Sequence, residues 1–205
     1  MPSSHEIVLF HSVLGLRPGV LQSANRLREA GHTVHTPDLF DGQIFTDNAT
    51  AAMSLRDIGF DRLIERSQAA VSHLPEHLVY AGFSSGGAFA ELLAATRPGA
   101  RGAVLFHAPL LIRDLGWKVW PANLPVQVHF AQGDPLRDQR VIDAFAARVR
   151  KSSASFEQHD YCCSGHLFAD PDLPAYDAAA SNLMWERVIE FLDGRGATVA
   201  VTSTG

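Results

Sequence analysis

Ser84 stands at the centre of Gly82-Phe83-Ser84-Ser85-Gly86, a G-x-S-x-G pattern followed by a further glycine, Gly87. A serine on a sharp strand-to-helix turn holds a strained backbone, which presses the positions two residues away against the strand and the helix. Only glycine fits there easily. The turn lifts the hydroxyl above a sheet, at the amino end of a helix whose dipole favours negative charge. A serine hydroxyl is a poor nucleophile at neutral pH and needs an oriented base. Where the nucleophile is presented this way, the acid and then the base follow it in the chain. Gln132-Gly133-Asp134-Pro135 offers Asp134 as the acid, and Ser164-Gly165-His166-Leu167 offers His166 as the base. Asp138 is an alternative acid. Such a trio performs acyl transfer, and the oxyanion it creates needs two backbone N–H donors. Ser85 is one candidate donor and Val13, in the loop after the first strand, is the other. His11 is a second imidazole in that loop, read as shaping the loop or a pocket rather than acting as a base. Ser12 beside it joins the candidate pocket.

The elements that would position these residues alternate along the chain. Residues 7–10, 32–36, 78–81, 102–107, 126–131 and 154–160 read as strands. Residues 16–30, 60–72, 84–96, 138–151 and 175–192 read as helices. The helix after Ser84 is apolar all round apart from Glu91 and belongs in the interior. Repeated β-then-α order predicts one doubly wound, mostly parallel sheet with helices on both faces. The domain is expected over residues 1–193, with a flexible Gly/Thr/Ser-rich tail at 194–205. Two long connections, 38–52 and 108–125, follow strand ends, where open α/β sheets bind ligands. The second carries Trp117 and Trp120, read as candidate pocket walls.

Composition narrows the function. The chain has 205 residues, 46% of them hydrophobic and 19% charged, enough for one substantial core. A formal charge of −5 without a Lys/Arg cluster excludes nucleic acid as the main partner. No apolar run approaches the ~18 residues of a membrane span. The start carries no signal-peptide pattern, so a cytoplasmic location is expected. Cys162 and Cys163 are adjacent, a spacing that suits neither a bridge nor a redox pair. His73-Leu74-Pro75-Glu76-His77 has the H-x-x-E-H spacing of a zinc site, but Pro75 breaks the helix that spacing requires. No metal or cofactor is expected. The rival to an enzyme is a protein of the same fold that binds a small ligand without turnover.

Four stretches resemble the dienelactone hydrolase family: Val13-Leu14-Gly15, Pro37-Asp38-Leu39-Phe40, Gly82 to Gly87, and Gly165-His166-Leu167-Phe168. The likeness runs over about residues 6 to 192, with a front shorter than usual, as if edge strands were missing before Ile7. It implies an α/β-hydrolase fold and hydrolysis of a small ester or lactone. Three positions depart from the family pattern. The well-known members use cysteine where Ser84 stands. They place a glutamate, which controls the cysteine's charge, where the alignment has Ser12. They also have an arginine for the substrate carboxylate where Asp170 stands. The expectation is therefore a serine carboxylesterase that prefers neutral substrates because Asp170 repels anionic ones.

Overall fold

A computed structural model of the chain describes residues 4–108 and 119–194. The expected tail, apart from Gly194, lies outside the described residues, as does Trp117.

Among the described residues six strands and six helices follow one another: β1 (Glu6–Phe10), α1 (Pro18–Glu29), β2 (Thr33–His35), α2 (Asn48–Ile58), α3 (Phe60–Val71), β3 (Leu78–Phe83), α4 (Ser85–Thr96), β4 (Gly102–Phe106), β5 (Val126–Ala131), α5 (Gln139–Lys151), β6 (Phe156–Tyr161) and α6 (Ala178–Leu192). The strands form one sheet in the order β2-β1-β3-β4-β5-β6, and every pairing is parallel. No strand precedes β1 among the described residues.

Alternate strand residues feed two cores, as the period-2 geometry of a strand demands. Val8, Phe10, Leu78, Tyr80, Leu105 and Val128 face α3, α4 and α5 through Leu63, Phe89, Leu93 and Phe145. Ile7, Leu9, Val79, Ala81, Val104 and Phe106 face α1 and α6 through Leu27, Met184, Trp185 and Val188. Helices therefore cover both faces, and the central strands read as continuous apolar runs because both of their sides are buried. β6, at the edge, runs through four consecutive polar residues, Glu157 to Asp160, and is mostly half-buried. Among the described residues no helix is long and apolar enough to cross a membrane.

The structure corrects the connection expected over 38–52. Its second half starts α2, which is capped by Asp47 accepting from Thr50 N–H at 2.8 Å and ends at Gly59. Only Ala51 of this helix is buried, so it lacks the apolar stripe that marks a helix in a sequence.

Candidate active site

Ser84 joins β3 to α4 with φ 51° and ψ −116°, in the left-handed half of conformational space. That conformation costs a non-glycine residue roughly 1–3 kcal/mol, and the surroundings hold it in place. Ser84 N–H donates to Phe106 O at 2.7 Å, and Ser84 O accepts from Gly87 N–H at 2.8 Å. A Cβ at Gly82 would strike the Gly86 carbonyl, and one at Gly86 would strike the carbonyls of Phe10 and His11. The glycines are thus a steric requirement of the turn. The third glycine belongs to the same requirement, because a Cβ at Gly87 would strike Ala108.

Two loops beyond neighbouring strands complete the arrangement. His166 Nε2 lies 2.8 Å from Ser84 Oγ, and His166 Nδ1 lies 2.7 Å from Asp134 Oδ2. Asp134 Oδ1 accepts from Leu136 N–H at 2.8 Å. Burial pushes the Asp134 carboxyl toward its neutral form, but the bonds from His166 and Leu136 outweigh burial and bring its pKa below the ordinary value. An ionised carboxylate only accepts, so His166 carries its proton on Nδ1 and presents the Nε2 lone pair to the serine hydroxyl. The two loops are joined by Gly133 N–H donating to Cys163 O at 2.9 Å. The alternative acid, Asp138, is engaged elsewhere: it caps α5, accepting from Arg140 N–H at 2.9 Å.

The loop after β1 runs past the Ser84 turn. His11 is buried, donates from Nδ1 to Ser12 O at 2.7 Å and accepts at Nε2 from Leu39 N–H at 3.0 Å. Burial depresses its pKa. It pins the β1 loop to the Leu39–Phe40 stretch, which is the loop-shaping role, and it does not line the cleft described below. Ser12 Oγ accepts from Leu14 N–H at 3.2 Å, which makes it a turn residue. No backbone carbonyl among the described residues accepts from Val13 N–H. Ser85 opens α4, where the first-turn amides lack intrahelical partners. Both candidate donors are thus available to an anion.

A cleft of about 690 Å³ opens beside His166. Leu14, Thr46, Pro135, Leu167, Leu173 and Tyr176 form much of its wall. Asp47 and Asp177 also line it, and no lysine or arginine does among the described residues. Trp120, expected as a pocket wall, is instead core: 1% exposed, edge-on to Phe145, with its indole N–H donating to Leu124 O at 2.8 Å. An indole that finds both apolar neighbours and an acceptor indoors has nothing to gain at a pocket. Asp170 is likewise not a bare charge facing the cleft. Arg17 Nε lies 3.4 Å from its Oδ2, and the two side chains are only 10% and 12% exposed. His107, which packs its ring 5.3 Å from that of His166, carried no signal in the sequence.

The chain as a whole has known counterparts. A carboxymethylenebutenolidase of Rhodococcus opacus is 29% identical over 208 residues, covering 93% of this chain and 81% of that protein. The crystal structure of a dienelactone hydrolase-like promiscuous phosphotriesterase from metagenomic libraries superposes with a TM-score of 0.76. It is 23% identical and covers 96% of this chain and 89% of the other. An α/β-hydrolase enzyme from a Medee basin deep-sea metagenome library superposes at 0.62, with 14% identity and 93% and 85% coverage. At such identities the structures speak for the α/β-hydrolase fold. Residues 2–195 match the dienelactone hydrolase family, and with nearly its whole length matched the chain belongs to that family.

Proposed function

We propose that the chain is a carboxylic-ester hydrolase that cleaves a small ester or lactone through an acyl-enzyme on Ser84. The observation that carries this reading is the unbroken relay from Ser84 through His166 to Asp134, at 2.8 and 2.7 Å, with the serine in a left-handed turn. His166 Nε2 takes the Ser84 proton as Oγ attacks the carbonyl carbon. Asp134, held ionised, balances the imidazolium that forms. The amides of Ser85 and Val13 receive the oxyanion. His166 then gives the proton to the leaving alkoxide, takes one from a water that attacks the acyl carbon, and returns it to Ser84 Oγ as the acyl–Oγ bond breaks and the acid departs. Family membership supports hydrolysis, and the name of the Rhodococcus opacus relative supports an ester-type bond in a ring.

A fluorophosphonate probe tests the nucleophile. It is expected to label the protein once, at Ser84, with labelling and chromogenic-ester hydrolysis both lost in Ser84→Ala. Labelling elsewhere, or hydrolysis that survives the substitution, overturns the assignment. A protein that neither reacts nor turns over any ester of a broad panel would be a binder on this fold.

A further inference from the structure

His107 buries its whole ring, and yet neither Nδ1 nor Nε2 has a hydrogen-bond partner among the described residues. Buried polar atoms are nearly always paired, so an imidazole left bare in this way costs stability that a carbon ring would not. The backbone is also unusual, with φ 58° on a non-glycine residue at the carboxyl end of β4. Two contacts fix it there. Phe106 O, just before it, accepts from Ser84 N–H at 2.7 Å, and His107 N–H donates to His129 O at 2.8 Å. The turn that carries Ser84 and the turn that aims His107 are therefore tied to each other at the end of β4.

The ring is aimed at the base. Its centroid lies 5.3 Å from that of His166 at a 51° tilt, and 5.1 Å from Phe168, edge-on at 87°. Both nitrogens of His166 are engaged by Ser84 and Asp134, so His107 touches the body of that ring. We propose that His107 is a positioning residue: its ring braces His166 between Asp134 and Ser84 and shuts water from that side. The proposal rests on the hydrolase reading above. Its importance is greatest once Ser84 is acylated. Oγ is then no longer a free hydroxyl, His166 keeps only the Asp134 anchor, and the flanking ring must hold it in place to activate water.

The groups that act electrostatically on His107 suit a neutral brace. His166 and Asp134 come from the loops after β6 and β5, and His129 from β5 itself. Burial, reinforced by the neighbouring His166 and only partly opposed by Asp134, pushes the His107 pKa down to about 3. The brace therefore stays uncharged wherever an imidazole base operates, and it does not repel the imidazolium formed on His166.

His107→Ala and His107→Phe, compared with the unaltered protein, test this. Removing the ring is expected to lower kcat about tenfold or more, the scale on which misplacing a reacting group acts. KM is expected not to rise, because ground-state binding is untouched: it stays level where acylation limits turnover and falls with kcat where deacylation does. Water reaching the imidazolium favours its charged form, so the acid limb of the kcat/KM profile moves to higher pH. His107→Phe restores both kcat and the limb, since it returns a neutral ring face. The ¹⁵N titration of the His166 ring should move in the same way in each protein, independently of turnover. The proposal is overturned if His107→Ala leaves kcat and the titration in place. It is also overturned if folded His107→Phe is more impaired than His107→Ala, because a ring nitrogen would then be the needed group. If thermal melts show His107→Ala unfolded, His107→Leu against His107→Phe makes the same comparison of a flat face with mere volume. Absence of Ser84-dependent hydrolysis in the unaltered protein would instead bring down the hydrolase reading, and the titration would still decide whether His107 braces His166.

Discussion

Asp134→Asn keeps the shape of the side chain and removes its charge, and the structure dictates how the amide must sit. The Leu136 amide, 2.8 Å from Oδ1, can only donate, so the asparagine oxygen stays on that side. Its NH₂ then faces His166 Nδ1, 2.7 Å from the present Oδ2. A donor facing Nδ1 requires a lone pair there, which moves the ring proton to Nε2. Nε2 is the atom 2.8 Å from Ser84 Oγ, and once protonated it cannot accept the serine proton. A wrong tautomer of this kind costs about 10⁴ in kcat, equivalent to about 5 kcal/mol of barrier at 1.36 kcal/mol per decade. The fold should survive at neutral pH, because the Leu136 bond is kept. Stability toward acid should change. The carboxylate, with its folded pKa below the ordinary value, stabilises the fold above ~3.9, the unfolded value, and that contribution is lost as pH falls through the folded pKa. The asparagine variant lacks this dependence. Measuring kcat on a chromogenic ester beside thermal melts, with Asp138→Asn as the comparison, tests the argument. Asp138 caps α5 and does not touch His166, so its variant should keep kcat. Retention of kcat within tenfold by Asp134→Asn, or greater damage from Asp138→Asn, refutes the reasoning.

Other outcomes follow from the same geometry. Ser84→Ala should lose on the order of 10⁶ in kcat, and Ser84→Gly should melt higher than Ser84→Ala by about 1 kcal/mol of stability, since glycine adopts φ 51° freely; equal melting points would contradict the strain. Glu91 lies buried in α4 with neither carboxylate oxygen hydrogen-bonded among the described residues, and burial raises its pKa well above the ordinary value, with Arg148 only partly opposing. The unfolded chain releases this proton above ~4.3 while the fold retains it, so stability falls as pH rises toward the folded pKa. Glu91→Gln should remove that slope, and identical pH dependence of the melts in both proteins would exclude it. Short neutral esters should exceed matched anionic ones at least ~10-fold in kcat/KM, because Asp47 and Asp177 line the cleft and no lysine or arginine does among the described residues, and a tenfold ratio needs only ~1.4 kcal/mol of repulsion; equal values would show that these carboxylates do not reach the substrate.

The parts of this fold that were legible in the sequence are those where one physical demand dominates. The central strands are buried on both sides and so read as apolar runs, and the Ser84 turn announces itself because Gly82 and Gly86 have no room for a Cβ. Asp134 and His166 were readable by order, each just past a strand end. Features decided by two segments meeting in space were not. Trp120 looked like a pocket wall by its place in a long connection, but Phe145 and Leu124 O draw it into the core. α2 was hidden because a helix that buries only Ala51 shows no stripe. His107 ends an apolar strand, where a histidine is unremarkable, and only the tertiary packing shows its ring against His166.

Asp170 shows most clearly why position along the chain is a poor guide to charge in space. Four residues beyond His166, in place of an arginine, it reads as a negative wall facing the substrate. In the fold its carboxylate turns toward the first turn of α1, where Arg17 meets it at 3.4 Å while also donating to Phe45 O at 3.1 Å. Asp172 N–H adds a third tie at 3.0 Å. The pair thereby joins the start of α1, the segment before α2 and the loop beyond His166. It is part of the frame around the cleft, and its net charge is near zero. The case for neutral substrates consequently moves from Asp170 to Asp47 and Asp177, which line the cleft themselves. It also bears on one substitution. Asp170→Arg would not restore a carboxylate site cleanly, because it sets a second cation beside Arg17 in a mostly buried place, and such a broken pair costs several kcal/mol. The charge of this cleft is set by which carboxylates have found a cation, as Asp170 has in Arg17, and a linear sequence does not display that.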